Sequence, residues 1–170
     1  GKLGESAWID GKIRVELCEK AIKEEEQTDF IVVSRGELDY GHFVDFDSVS
    51  MKLSEYLNKK LEQPITVVYV CGLDHFNKCS YVEQLAKEKN MACAIIYRLG
   101  SNDEKIKSIE RKLPEKMYYL TLTDEIQSDK LIDLSSTEIR NLFATSTTDE
   151  QYEKTIYKCV LEFYKNKHSQ

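Results

Sequence analysis

Proline is scarce in this chain, with two in 170 residues, and no linker, internal repeat or low-complexity tract breaks the sequence. So few breakers suit one tightly wound domain over residues 1–170. That length has room for a single core burying well over half of the unfolded surface, and none for a second full domain. Long apolar runs are also missing: nothing approaches the roughly 20 residues of a membrane span, and the start GKLGESAWIDGK lacks a signal-peptide core. The expectation is a soluble protein of the cytoplasm or nucleus without membrane contact. Five cysteines, Cys18, Cys71, Cys79, Cys93 and Cys159, are odd in number and form no C-x-x-C. They indicate neither a disulfide framework nor a zinc knuckle, and read as reduced, mostly buried thiols. With His42, His75 and His168 as the only histidines, no metal cluster of recognisable spacing can be built. The net charge of −6 comes without a basic stripe or block, which argues against nucleic acid as a partner. A small anionic ligand needs only a local site.

What is present alternates strand-like with helix-like stretches, the pattern of a parallel sheet covered by helices. Ile13, Leu17, Cys18, Ala21 and Ile22 recur at helical spacing, and DFIVV follows as a short strand. Phe46, Val49, Leu53, Tyr56, Leu57 and Leu61 mark a second helix. PITVVYVCG is the strongest strand, a continuous β-branched and aromatic run expected of a central strand buried on both faces. Then come a polar turn, a helix over Tyr81 to Lys89, a strand ACAIIYR, a charged helix near Asp103 to Arg111 and a strand KMYYLTL. A helix opening at Ser135 and another near Glu150 to Asn166 close the chain. A doubly wound nucleotide-binding unit begins with a strand and a phosphate-binding loop, whereas the first element here is a helix. Either the sheet is incomplete or its first strand lies outside this sequence.

Three stretches can carry chemistry. In DLSSTEIRNLF, Ser135 and Glu138 form an S-x-x-E capping box. The same helix mouth can hold phosphate: free N–H groups and the positive dipole end attract an anion, Ser136 and Thr137 add hydroxyls, and Arg140 reaches back one turn with a fork of donors. In VVYVCGLDHF, Gly72 allows close approach of a ligand at the strand end and Asp74 can accept from ribose hydroxyls, unless Asp74 only caps the next loop. His75 could touch a phosphate. In IIYRLGSND, Arg98 leaves a strand to face the ligand or to pair with Asp103. Glu37, after FIVVSRG, exits an early strand toward the same edge.

In this order the motifs resemble the nicotinamide and nicotinate mononucleotide adenylyltransferases of the nucleotidyltransferase superfamily. VYVCGLDHF is similar to the family's strand with Gly-x-Asp, IIYRLGSND to its Arg-bearing strand exit, DLSSTEIRNLF to its I-S-S-T-x-x-R signature and YKCVLEFYKNK to its closing helix. The resemblance implies a Rossmann-like, doubly wound, mostly parallel sheet with helices on both faces, its first strand missing. It also implies a role in NAD biosynthesis, joining AMP from ATP, with Mg²⁺, to a mononucleotide and releasing pyrophosphate, in a protein often oligomeric. Ser136, Thr137 and Arg140 would hold ATP phosphates, with Ser136 and Arg140 in the catalytic role and Ser135 in the nucleotide-binding set. Gly72, Asp74, Arg98 and Glu37 would line the nucleotide, and no protein side chain is assigned to a metal.

The departures are as informative. The family's H-x-G-H motif is absent: DYGHFVD offers a Gly-His pair without the earlier histidine. The start at Gly1 fits a fragment lacking that segment, and this chain alone is then expected to be inactive. The family's W-E pair is replaced by Gly36-Glu37, leaving Phe76 or Tyr81 as aromatic platforms. A non-catalytic nucleotidyltransferase-like domain that binds nucleotide or mediates contacts in a larger protein is the alternative.

Overall fold

The computed structural model describes residues 9–98, 100–113, 115–121, 139 and 156–168. The chain divides into two compact units, one of Gly1–Phe43 with Leu134–Gln170 and the other of Val44–Asp133.

In the first unit, α1 (Gly11–Glu24) opens at Asp10, whose carboxylate accepts from the Lys12 amide at 2.8 Å, an N-cap of the usual kind. It packs on α6 (Lys158–His168). The Glu24 carboxylate accepts from the Lys158 and Cys159 amides at 3.0 and 2.9 Å, so a side chain 134 positions away satisfies donors that a helix start leaves free. A hydrogen bond from the Cys159 thiol is the largest influence holding the Glu24 carboxyl below its ordinary range. The expected strand DFIVV does not form. Residues 28–30 make a turn held by Gln27, whose carbonyl accepts from the Phe30 and Ile31 amides at 3.0 and 2.8 Å. Phe30 and Val32 stay 85% exposed. An isolated apolar run without a partner strand has nowhere to place its backbone donors and acceptors, so the local turn wins. Glu37 consequently sits exposed in a turn over residues 36–40 rather than at a strand end.

The second unit is α/β. Its elements are α2 (Phe46–Lys60), β1 (Val67–Gly72), α3 (Leu73–Lys78), α4 (Tyr81–Lys87), β2 (Met91–Ile96), α5 (Glu104–Glu110) and β3 (Met117–Leu120). The three strands form a parallel sheet in the order β1-β2-β3, with Val67 opposite Met91 and Cys93 opposite Met117. Each crossover runs through helix, as parallel neighbours require. On one face Met91, Cys93, Ile95 and Met117 meet Leu73, Phe76, Val82, Leu85, Ile106 and Ile109 in the core.

The opposite face carries Val68, Val70, Ile96, Tyr118 and Leu120, all exposed by 40% or more, around the small side chains of Ala92 and Ala94. Among the described residues, helices therefore cover one face of the sheet, not both. Among the described residues, the strand expected to be central is an edge of this sheet. The β-branched run made β1 a strand, but β2, with five buried residues in MACAI, occupies the middle. α2 is tied to the approach of β1 by Asn58. Its amide donates to the Ser54 and Ile65 carbonyls at 2.8 and 3.1 Å, and its carbonyl accepts from the Ile65 amide at 2.9 Å.

Candidate functional site

The carboxyl end of the sheet is where open α/β folds expose backbone and side chains to ligands. β1 ends at Gly72, in extended conformation with φ −74° and ψ 153°. The φ suits any residue, so what glycine gives here is room for the Asp74 side chain. A Cβ at this position would stand 2.8 Å from Oδ1 of Asp74, whose carboxylate folds back over the strand end from the first turn of α3. Its other oxygen, Oδ2, accepts from Nη1 of Arg98 at 3.2 Å. Arg98 follows β2, so two neighbouring strands deliver an anion and a cation to one point. Both side chains remain more than a third exposed, 39% and 37%, and are accessible to a ligand.

The ion pair of Arg98 is with Asp74 and not with Asp103. Asp103 instead pairs with Lys107 at 2.7 Å and accepts from the Tyr119 hydroxyl at 3.1 Å. The Lys107 hydrogen bond, ahead of the one from Tyr119, lowers the Asp103 carboxyl below its ordinary value. Burial first, and then Asp103, push the Tyr119 phenol up to about 12. After Arg98 the chain turns through Gly100 at φ +73°, a left-handed conformation that glycine adopts without penalty. The Ser101 amide closes that turn on the Arg98 carbonyl at 3.1 Å. Asn77 of α3 donates to the Asn102 carbonyl at 2.7 Å, fixing the two strand exits to each other.

Beside Asp74, an aromatic cluster escaped the sequence reading. Phe46 stacks on Tyr69 at 4.7 Å between centroids, and His75 meets Phe46 edge-on at 5.2 Å. Nε2 of His75 lies 3.5 Å from the Tyr69 hydroxyl. The alternation of β1 puts Tyr69 on the helix-covered face, which was the available signal. Phe76 is fully buried beneath the Lys105 ammonium, 4.5 Å from its ring centroid, and so offers no platform to a ligand. Tyr81 is 57% exposed. Burial lifts the thiol of Cys71 to about 11, with the Asp74 charge a lesser cause, and that of Cys93 to about 12. Neither is poised as a thiolate nucleophile. Cys159 is also buried, while Cys18 is exposed.

Ser135, Ser136, Thr137 and Arg140 lie outside the described residues; Ile139, within the same run, is helical. Gly72, Asp74 and Arg98 are brought together, and Glu37 belongs to the other unit. Among the described residues, no three His, Cys, Asp or Glu side chains gather to hold a metal ion, and no helix is long and apolar enough to cross a membrane. No family model, curated protein or solved structure matches this chain.

Proposed function

We propose that this chain is an adenylyltransferase-like domain, its parallel sheet part of a Rossmann-like fold, that binds ATP with Mg²⁺ and a mononucleotide. In the complete reaction the phosphate oxygen of nicotinamide or nicotinate mononucleotide attacks the α-phosphorus of ATP. The bond to the β-phosphate oxygen breaks and pyrophosphate leaves with the electron pair. The observation that supports this reading is the Asp74–Arg98 pair over Gly72: a carboxylate able to accept from ribose hydroxyls beside a guanidinium able to meet phosphate.

Ser135, Ser136, Thr137 and Arg140 are assigned to ATP phosphates by their sequence pattern. Mg²⁺ is assigned to those same phosphates rather than to a protein cage. Such transfers depend on positioning and on neutralising charge, not on a covalent intermediate. The sequence contains no H-x-G-H. Loss of one such transition-state donor costs roughly 3 kcal/mol, so binding is the property expected of this chain and turnover is not. The missing motif equally favours a second reading, a non-catalytic nucleotidyltransferase-like domain.

Calorimetric titration with Mg-ATP, nicotinamide mononucleotide and the dinucleotide product tests the proposal, with Arg98→Ala as the control. Micromolar binding that the variant loses upholds a nucleotide site. Silence at millimolar ligand moves the interaction-domain reading ahead.

A further inference from the structure

We propose that a pocket at the amino end of the sheet binds a small zwitterion with an apolar body, a free apolar amino acid or a dipeptide. The opening, of about 350 Å³, lies between α2 and the turn that leads into β2. β2 runs six residues from Met91 to Ile96, so at about 3.3 Å per residue the pocket stands roughly 17 Å from the strand exits that carry Asp74 and Arg98. The inference is independent of the nucleotide reading.

The walls of the pocket are fixed before a ligand arrives. The Asn90 carbonyl accepts from the Ser54 hydroxyl at 3.3 Å and from the Val67 amide at 2.9 Å. The Lys116 ammonium donates to the Glu88 and Met91 carbonyls, at 3.0 Å each. Between those two anchors Asn90 takes a left-handed backbone at φ +58°, which asparagine tolerates better than most residues. Ser54 and Asn58 are committed to bonds within the protein, leaving the Asn90 side-chain amide as the neutral polar group open to a ligand. Met91 is buried and Met51 is 38% exposed, so the body of a ligand meets thioether and methylene surface, which adapts to apolar groups of varied shape.

Charge selects the ligand. Two acids, Glu55 and Glu88, and two bases, Lys59 and Lys89, line the opening and are exposed. Glu55 and Lys59 stand one helical turn apart in the order that favours pairing. They form no ion pair, whereas Glu83 with Lys87 and Asp103 with Lys107, at the same spacing, close to 2.8 and 2.7 Å. Among the described residues, Glu88 and Lys89 have no ionic partner either. Equal numbers of unpaired carboxylates and ammoniums around one opening suit a ligand with one charge of each sign, and give a polyanion such as ATP no net attraction.

Titration of the ¹⁵N-labelled whole chain with L-leucine and with L-alanyl-L-leucine, followed by amide chemical shifts, decides the matter. The expected result is saturable shifts at Ser54, Asn58, Asn90 and Met91 with a dissociation constant of about 0.1–10 mM for at least one of the two, and the tighter one tells amino acid from dipeptide. Acetylating the ammonium of that compound, or amidating its carboxylate, should raise the dissociation constant at least about fivefold. The double variant Glu55→Gln with Glu88→Gln should do the same to the free zwitterion and leave the acetylated form unchanged. Both positions are exposed, so the fold survives the change. Absence of saturable shifts at tens of millimolar, shifts confined to other residues, or indifference to the capped forms or to the variant overturns the proposal.

Discussion

Gly72→Ala separates the site's geometry from the fold's stability. The added Cβ would sit 2.8 Å from Oδ1 of Asp74, so the carboxylate must rotate off the strand end and leave Arg98, now 3.2 Å away. Backbone strain is not part of the effect, because φ −74° and ψ 153° suit alanine. With both partners more than a third exposed, the pair contributes about 0–1 kcal/mol after solvent screening. Replacing glycine at a compatible position returns about 0.4–1 kcal/mol through the unfolded chain. Stability measured by urea denaturation is therefore expected within about 1 kcal/mol of the parent. A ribose hydroxyl that loses its hydrogen bond to a carboxylate forfeits about 1.5–3 kcal/mol, so dinucleotide affinity by calorimetry should fall roughly ten- to hundredfold. Unchanged affinity in a folded variant refutes the role of Asp74. A loss of stability above about 3 kcal/mol would instead show that Gly72 serves packing.

Other expectations follow from the same contacts. Asn58→Ala removes the bracket joining α2 to Ile65 and should destabilise the protein by about 1–3 kcal/mol in urea; a change below about 0.5 kcal/mol contradicts that role. Arg140→Ala should weaken ATP or dinucleotide binding at least about tenfold without unfolding the chain, and unchanged affinity would leave the Ser135–Glu138 pattern with the capping-box reading alone. The Cys93 thiol rises in the fold from 9.0 to about 12 and that of Cys71 to about 11. A raised folded value gives stability that is complete below the unfolded value. Stability should therefore be level up to about pH 9 and decline toward pH 12, and a flat denaturation profile through pH 11 contradicts the burial of these thiols.

The strand cores of the second unit were legible because apolar runs such as VVYV and CAII need a buried, pleated setting and little else. Their places in the sheet were not. Val68 and Val70 read as doubly buried, yet among the described residues they lie on an edge strand and stay 45% and 58% exposed. Hydrophobic content reports how buried a strand can become, whereas its neighbours decide how buried it is. DFIVV failed for a related reason, since four apolar residues without a partner strand give way to the Gln27 turn. Gly72, Asp74 and Arg98 could each be suspected from strand exits. Their meeting across 24 positions depends on β1 and β2 being adjacent and parallel, which no local pattern states. The burial of Phe76 is likewise a tertiary fact. Its alternation in a six-residue helix is too short to show which side faces the core.

Titration of the ¹⁵N-labelled chain with the dinucleotide product and with Mg-ATP, followed by amide chemical shifts, puts the nucleotide reading to its most direct test. The expected result is saturable shifts clustered at Gly72, Asp74, Arg98 and Gly100. Shifts confined to other residues, or none at millimolar ligand, would contradict it.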